Sequence, residues 1–174
     1  MAKDVEELKG KMLTMASHVP VLAAVALHTK GPILEFGCGY YSTLLLHEIA
    51  LINKRQLVTA DQDKRWLNQF LYLQNEWHQF EYVENWAKYA KPLKQKWDVV
   101  FIDHRPTKRR NVDIRLLKDS VEYMVVHDSN VASYKYEPDF ALYKYRYDYT
   151  HAEPFTTVLS NKHKLDFLKR VAKE

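Results

Sequence analysis

Short continuous apolar blocks alternate with polar stretches of helical period along most of this chain. "ILEF" from Ile33, "LVTAD" from Leu57, "DVVFID" from Asp98 and "VEYMVVHD" from Val121 each hold apolar residues at consecutive positions. That pattern suits strands buried on both faces. Phe80, Tyr82 and Val83 predict a further strand between the second and third of these. Helices fill the intervals. Pro20 can open one that Gly31 closes, Ser42 or Thr43 is placed to cap the one holding Leu44, Leu45, Leu46 and Ile49, and another runs from Lys64 to about Leu73. Leu116 and Leu117 belong to the next. An amphipathic segment from Val5 to Met15 puts Leu8, Met12 and Met15 on one face. The tail predicts a helix around Asp139 to Tyr145, strands at "RYDYTH" and "FTTVL", and a last helix from Lys164. The alternation predicts an α/β fold, a three-layer sandwich on a mostly parallel sheet with an antiparallel strand at the C-terminal end. One domain over residues 1–174 is expected, with a helical segment at 1–30, a core at 31–160 and a C-terminal helix at 161–174.

Composition narrows the class. Apolar residues make up 47% and charged residues 28%, the balance of a chain that packs a core. The single cysteine, Cys38, excludes an internal disulfide framework. The longest apolar run, Val19 to Leu27, contains Pro20 and is about half of what a membrane span needs. With a charged N-terminus and no glycosylation sequon, these features predict a soluble, cytoplasmic protein with no membrane partner. The net charge of +4 tilts partners weakly toward anions.

Parallel sheets bind ligands at the carboxyl ends of their strands. Glu35 with Gly37–Gly39 lies at the first such end, Asp61 at the second, Asp103 at the fourth and Asp128 at the fifth. The two glycines permit a tight turn and a close approach of ligand to backbone. A nicotinamide enzyme usually has a third glycine where Ser42 stands. Here an acid, Glu35, also precedes the turn; it would repel a pyrophosphate and suits a ligand carrying an ammonium group.

"LEFGCGYYS" resembles the first motif of class I S-adenosylmethionine-dependent methyltransferases, "VTADQDKRW" their second and "DVVFIDH" their fourth-strand motif. The resemblance covers residues 31 to 160 and implies a Rossmann-like fold. It also implies a cofactor site drawn from Glu35, Phe36, Gly37, Cys38, Gly39, Ser42, Asp61, Gln62, Asn85, Trp86 and Asp103. Glu35, Gly37 and Gly39 would surround the methionine part and Asp61 would hold the ribose, with Gln62, Asn85 and Trp86 near the adenine. "FIDHRPTKRR" and "VVHDSN" are similar to the paired loops of catechol-type O-methyltransferases. That likeness implies a magnesium site of Asp103, Asp128 and Asn130, although Ser129 displaces the asparagine and Pro106 or Thr107 stands where that family has its lysine base. The metal-free alternative has Asp103 orient the acceptor, while His104 or His127 removes its proton.

The expected function is methyl transfer to an oxygen or nitrogen of a small, anionic acceptor. Asp103, His104, His127 and Asp128 are its candidate catalytic residues, and Arg105, Arg109, Arg110 and Asn130 would contact the acceptor. An RNA methyltransferase and a non-methylating cofactor binder are the alternatives. "YKYEPDFALYKYRYDY", from Tyr134, interleaves tyrosines with basic residues. Such a run can stack bases and track phosphates. It equally suits a lid over a small-molecule pocket or a surface that pairs two copies of the chain. Cys38 reads as a packing residue. "HE" at His47 is no zinc motif, because Leu51 takes the place of the second histidine.

Overall fold

The computed structural model describes residues 14–171. Seven strands form one sheet in the order β3-β2-β1-β4-β5-β7-β6. They are β1 (Ile33–Phe36), β2 (Leu57–Asp61), β3 (His78–Tyr82), β4 (Trp97–Ile102), β5 (Val121–Val126), β6 (Tyr145–Tyr149) and β7 (Thr156–Ser160). The pairs from β3 through β5 are parallel, and β7 runs antiparallel to both β5 and β6. Strand order reverses between β1 and β4, which makes the carboxyl ends of those two strands the place for a ligand.

Alternation along each strand feeds two cores. Leu34, Phe36, Val100, Ile102, Met124 and Val126 face a layer containing α4 (Thr107–Leu117) and α5 (Glu137–Phe140). Ile33, Leu57, Val99, Phe101 and Val125 face α1 (Val19–His28) and α2 (Ser42–Asn53). Each such side chain contributes about 1.5–3 kcal/mol on burial, so strands apolar on both faces are held from both sides. Arg55 fastens α1 to the sheet. Its guanidinium donates to the carbonyls of Ala26, Thr29 and Gly31 at 2.7, 2.9 and 2.6 Å, satisfying the end of the helix.

Several elements differ from expectation. The helix expected from Lys64 to Leu73 is one turn, α3 (Lys64–Leu67), followed by a 3₁₀ turn at Leu71–Leu73. Leu67 and Phe70 still share one cluster, because an i, i+3 spacing serves both helix types. Among the described residues, the two helices expected in the tail are the short α5 and a 3₁₀ segment at Asp166–Arg170. The amphipathic segment expected from Val5 lies, apart from its last residues, outside the described residues. No helix among the described residues is long and apolar enough to cross a membrane.

Candidate functional site

The turn after β1 is the centre of the site. Gly37 has φ +91°, and a Cβ there would meet the Asp103 carbonyl carbon and the His104 nitrogen at 2.7 Å. Only glycine lets the two strand ends close together. All three turn amides are bonded within the chain. Gly37 N–H donates to Ala60 O at 2.9 Å, Cys38 N–H to Asp61 Oδ2 at 2.9 Å, and Gly39 N–H to Thr43 Oγ1 at 2.8 Å. A turn that cradles phosphate aims its amides at the ligand; this one does not. Thr43 and Ser42 are not caps, since α2 has Tyr41 at that position without a side-chain bond. The Thr43 hydroxyl instead links the turn to Glu35 Oε2 at 2.9 Å.

Glu35 is fully buried beneath the turn, with Thr59 donating to the same oxygen at 2.6 Å. Burial pushes its carboxyl up to about 7. It lines neither cleft described below, so it supports the turn from underneath. Burial, together with Asp61, also pushes the Cys38 thiol upward, in keeping with a packing role.

Two clefts open at the strand ends. The smaller, about 290 Å³, is lined by Gly37, Cys38, Asp61, Gln62, Trp66 and Asp103, among others. Asp61 is fixed there by the Cys38 amide on one oxygen and the Asp63 amide on the other, at 2.8 Å. Phe36 and Trp86 do not line it. Both rings sit in the core, 5.0 Å apart, on the face where apolar burial outweighs ligand contact. Trp86 acts from below, donating from Nε1 to Gln62 Oε1 and to Arg105 O. Asn85 is exposed and turns its amide oxygen to the Ala87 N–H.

The larger cleft, about 670 Å³, shares Cys38, Trp66, Asp103 and Arg105 with the smaller and adds Met15, His18, Tyr40, Tyr41, Ser42, His127, Asp128 and Tyr134. At its floor Arg110 clamps two strand ends. The guanidinium meets Asp103 Oδ1 at 2.9 Å and Asp128 Oδ2 at 3.1 Å, and donates to His104 O and Asp103 O at 2.7 and 2.8 Å. Burial opposes its charge, but Asp103 and Asp128 keep it protonated. Burial raises the Asp103 carboxyl against the pull of Arg110, an effect softened by the 29% of that side chain open to solvent. Asp128 holds φ +57°, a conformation that aspartate tolerates better than most residues.

This clamp corrects the expected magnesium site. A guanidinium already bridges both carboxylates, and Asn130 gives its amide oxygen to the Phe155 N–H at 2.9 Å. Among the described residues no cluster of His, Cys, Asp and Glu could hold a metal. The likeness to catechol-type loops therefore does not extend to their metal centre. Arg109 is also committed, forking onto Asp113 at 2.7 to 3.0 Å. Arg105 is the guanidinium of the three that is exposed and has no side-chain partner among the described residues.

The two candidate bases separate. His104 has a fully buried ring packed on Trp86 at 4.3 Å, with Nε2 3.1 Å from Asp113 Oδ2 but poorly aligned for a hydrogen bond. His104 borders the smaller cleft, but its side chain has no exposed surface there. His127 stays in the wall of the larger cleft; burial, with Arg110 beside it, lowers its pKa to about 4, so the ring is neutral. His18 packs edge-on against it at 4.7 Å, and burial lowers that pKa to about 3. Sequence reading missed His18, Tyr40, Tyr41 and Trp66, whereas Tyr134 opens the tyrosine-rich run expected as a lid over a pocket. The four missed residues come from loops and helix edges whose spacing carries no period, although the aromatic residues flanking the glycine and Asp61 motifs were a visible signal.

Comparison with known proteins gives the fold its context. No protein-family model matches the sequence, and no curated protein matches it significantly. Solved structures do match in fold. The chain is similar to the SAH-bound Podospora anserina methyltransferase PaMTH1 at 14% identity and TM-score 0.59, covering 81% of this chain and 76% of that one. It is similar to the cofactor-bound Rv0187 from MTB at 16% identity and TM-score 0.60, covering 93% and 90%. It is also similar to the METTL16 MTase domain at 14% identity and TM-score 0.60, covering 84% and 67%. The architecture is thus the Rossmann-like sandwich that these methyltransferases share.

Proposed function

We propose that this protein is an S-adenosylmethionine-dependent methyltransferase. One observation carries the reading within this fold: the glycine turn keeps all three of its amides for internal partners and has a carboxylate on either side, Glu35 below and Asp61 beside it. That surface repels phosphate and favours a ligand bearing ammonium and ribose hydroxyls. Asp61 and Gln62 would hold the adenosine in the smaller cleft, with the edge of Trp66 against it. Cys38, Gly39 and Ser42 would border the amino-acid portion. When bound, the cofactor supplies an activated methyl group on sulfur. Asp103 lines both clefts and so borders the place where cofactor and acceptor meet. The chain's own part is orientation and exclusion of water.

The acceptor end favours a small molecule with an anionic group. Arg105 is available to fork onto a carboxylate or phosphate, while Tyr41 and Tyr134 wall the cleft. Neutral His127 accepts a hydrogen bond from the reacting hydroxyl or amine, and Asp128 lies 3.7 Å from its Nε2. The rings around the cleft also support a second reading, an RNA acceptor, which salt-dependent binding would reveal.

S-adenosylhomocysteine should raise the melting temperature, because a ligand of the native state stabilises by mass action. NAD should not. Asp61→Asn should weaken S-adenosylhomocysteine binding by about 1–3 kcal/mol, the scale of a hydrogen bond to a charged group. Calorimetry showing tighter binding of NAD, or no binding of S-adenosylhomocysteine to the wild type, would sink the reading.

A further inference from the structure

A chain of buried hydrogen bonds leads away from the turn, on the side opposite the clefts. Thr59 Oγ1 lies 2.6 Å from Glu35 Oε2 and 2.8 Å from His78 Nε2. His78 Nδ1 lies 3.1 Å from His47 Nδ1. His78 is fully buried, and His47, 6% exposed, is the outer end. Every link is a group that both donates and accepts, and a hydroxyl or neutral imidazole has one proton to give. The direction of one bond therefore dictates the next. Glu35 Oε1 is buried with no partner among the described residues, so a proton there would be a buried donor without an acceptor, whereas a proton on Oε2 has the Thr59 oxygen to receive it.

We propose that Glu35, Thr59, His78 and His47 form one proton-coupled array, in which ionising the carboxyl under the glycine turn reverses every hydrogen bond out to His47. With Glu35 ionised, Thr59 donates to it, His78 Nε2–H donates to Thr59, and His47 Nδ1–H donates to His78 Nδ1. With Glu35 protonated on Oε2, the carboxyl donates to Thr59, Thr59 to His78 Nε2, and His78 Nδ1–H to His47 Nδ1, leaving the His47 proton on Nε2. The two states differ by one proton. On ionisation, each proton along the row moves one place outward and the His47 Nε2 proton leaves to solvent.

Thr43 donates to Glu35 Oε2 and receives the Gly39 amide. A carboxylate takes two donors on that oxygen more strongly than an acid does, so the ionised state grips the turn harder. The other ionisable groups facing Glu35 are Asp61, Asp103 and Cys38, with Ser42 as a further hydroxyl donor, while His47 is the one facing His78. Both aspartates favour the protonated form, and the arrival of a cationic group over the turn favours the ionised one. Glu35 has a pKa near 7 in the free protein, which puts the reversal within reach of neutral pH. The consequence for cofactor binding rests on the function proposed above; the array itself does not.

Nitrogen-15 imidazole spectra of the free protein between pH 5.5 and 8.5 test it. His78 should change from Nδ1–H to Nε2–H as pH rises, and His47 from Nε2–H to Nδ1–H, with one shared midpoint. Thr59→Val keeps the volume and cuts the row, so both rings should lose that shared transition. Adding S-adenosylhomocysteine at the midpoint pH should drive His78 to the Nε2–H form. A His78 tautomer that never changes, or a transition that survives in Thr59→Val, overturns the array. Binding of S-adenosylhomocysteine that leaves His78 unmoved at the midpoint overturns its coupling to the ligand. If the wild type does not bind S-adenosylhomocysteine at all, the methyltransferase reading fails, and the pH series still decides the array.

Discussion

Arg110→Met is expected to destabilise the protein by about 3–5 kcal/mol, the usual cost of removing one partner from a buried ion pair. The loss has two parts. Asp103 and Asp128, which already repel one another, lose the charge between them, and the carbonyls of Asp103 and His104 lose their donors. The pH dependence separates these parts. Burial already raises the folded-state pKa of Asp103 above its unfolded value, and without the guanidinium it rises further. The variant therefore keeps most of its stability at low pH and loses it as pH rises through the raised pKa. Urea denaturation at pH 5 and pH 8 should show a wider gap from wild type at the higher pH. An equal gap at both, or a loss below about 1 kcal/mol, would mean that the clamp is a marginal surface pair. Arg110→Lys should not restore stability, because a point charge cannot span four acceptors as the planar fork does.

Gly37→Ala should be comparably severe, at roughly 2–6 kcal/mol from backbone strain and overlap together. The new methyl would stand 2.7 Å from the backbone of Asp103 and His104, and neither can retreat without parting β4 from β1. Gly39→Ala is the control. A Cβ there meets only Ser42 Oγ at 3.4 Å, and its φ is ordinary, so the expected loss is within about 1 kcal/mol. Thermal melts of the two variants side by side check this. Equal losses would show that the motif's two glycines are kept for the same reason, contrary to the geometry.

What could be read from the sequence follows from burial. β1, β2, β4 and β5 are covered on both faces, so apolar residues fall at consecutive positions in them, in runs shorter than the one that forms α1. The carboxylates at their ends were legible for the same reason, since Asp61 and Asp103 interrupt such runs where a ligand would sit. Side-chain direction was not legible. Arg109 and Arg110 of "HRPTKRR" are expected at the acceptor, yet helical geometry turns Arg110 inward and pairs Arg109 with Asp113 one turn on. Trp86 and His104 flank the right loops, but their large rings are drawn into the core beside Phe36. Glu35 was expected against the ligand and instead lies under the turn, because strand alternation points it toward α2 and Thr59.

The internally bonded turn bears finally on how tightly a ligand can be taken up. A loop whose amides wait for the ligand must be ordered by it, and that entropy is subtracted from the affinity. Here Gly37, Cys38 and Gly39 are held in place beforehand by Ala60, Asp61 and Thr43. Binding at this end of the cleft meets a turn already held in place, so none of its free energy goes to ordering these three residues.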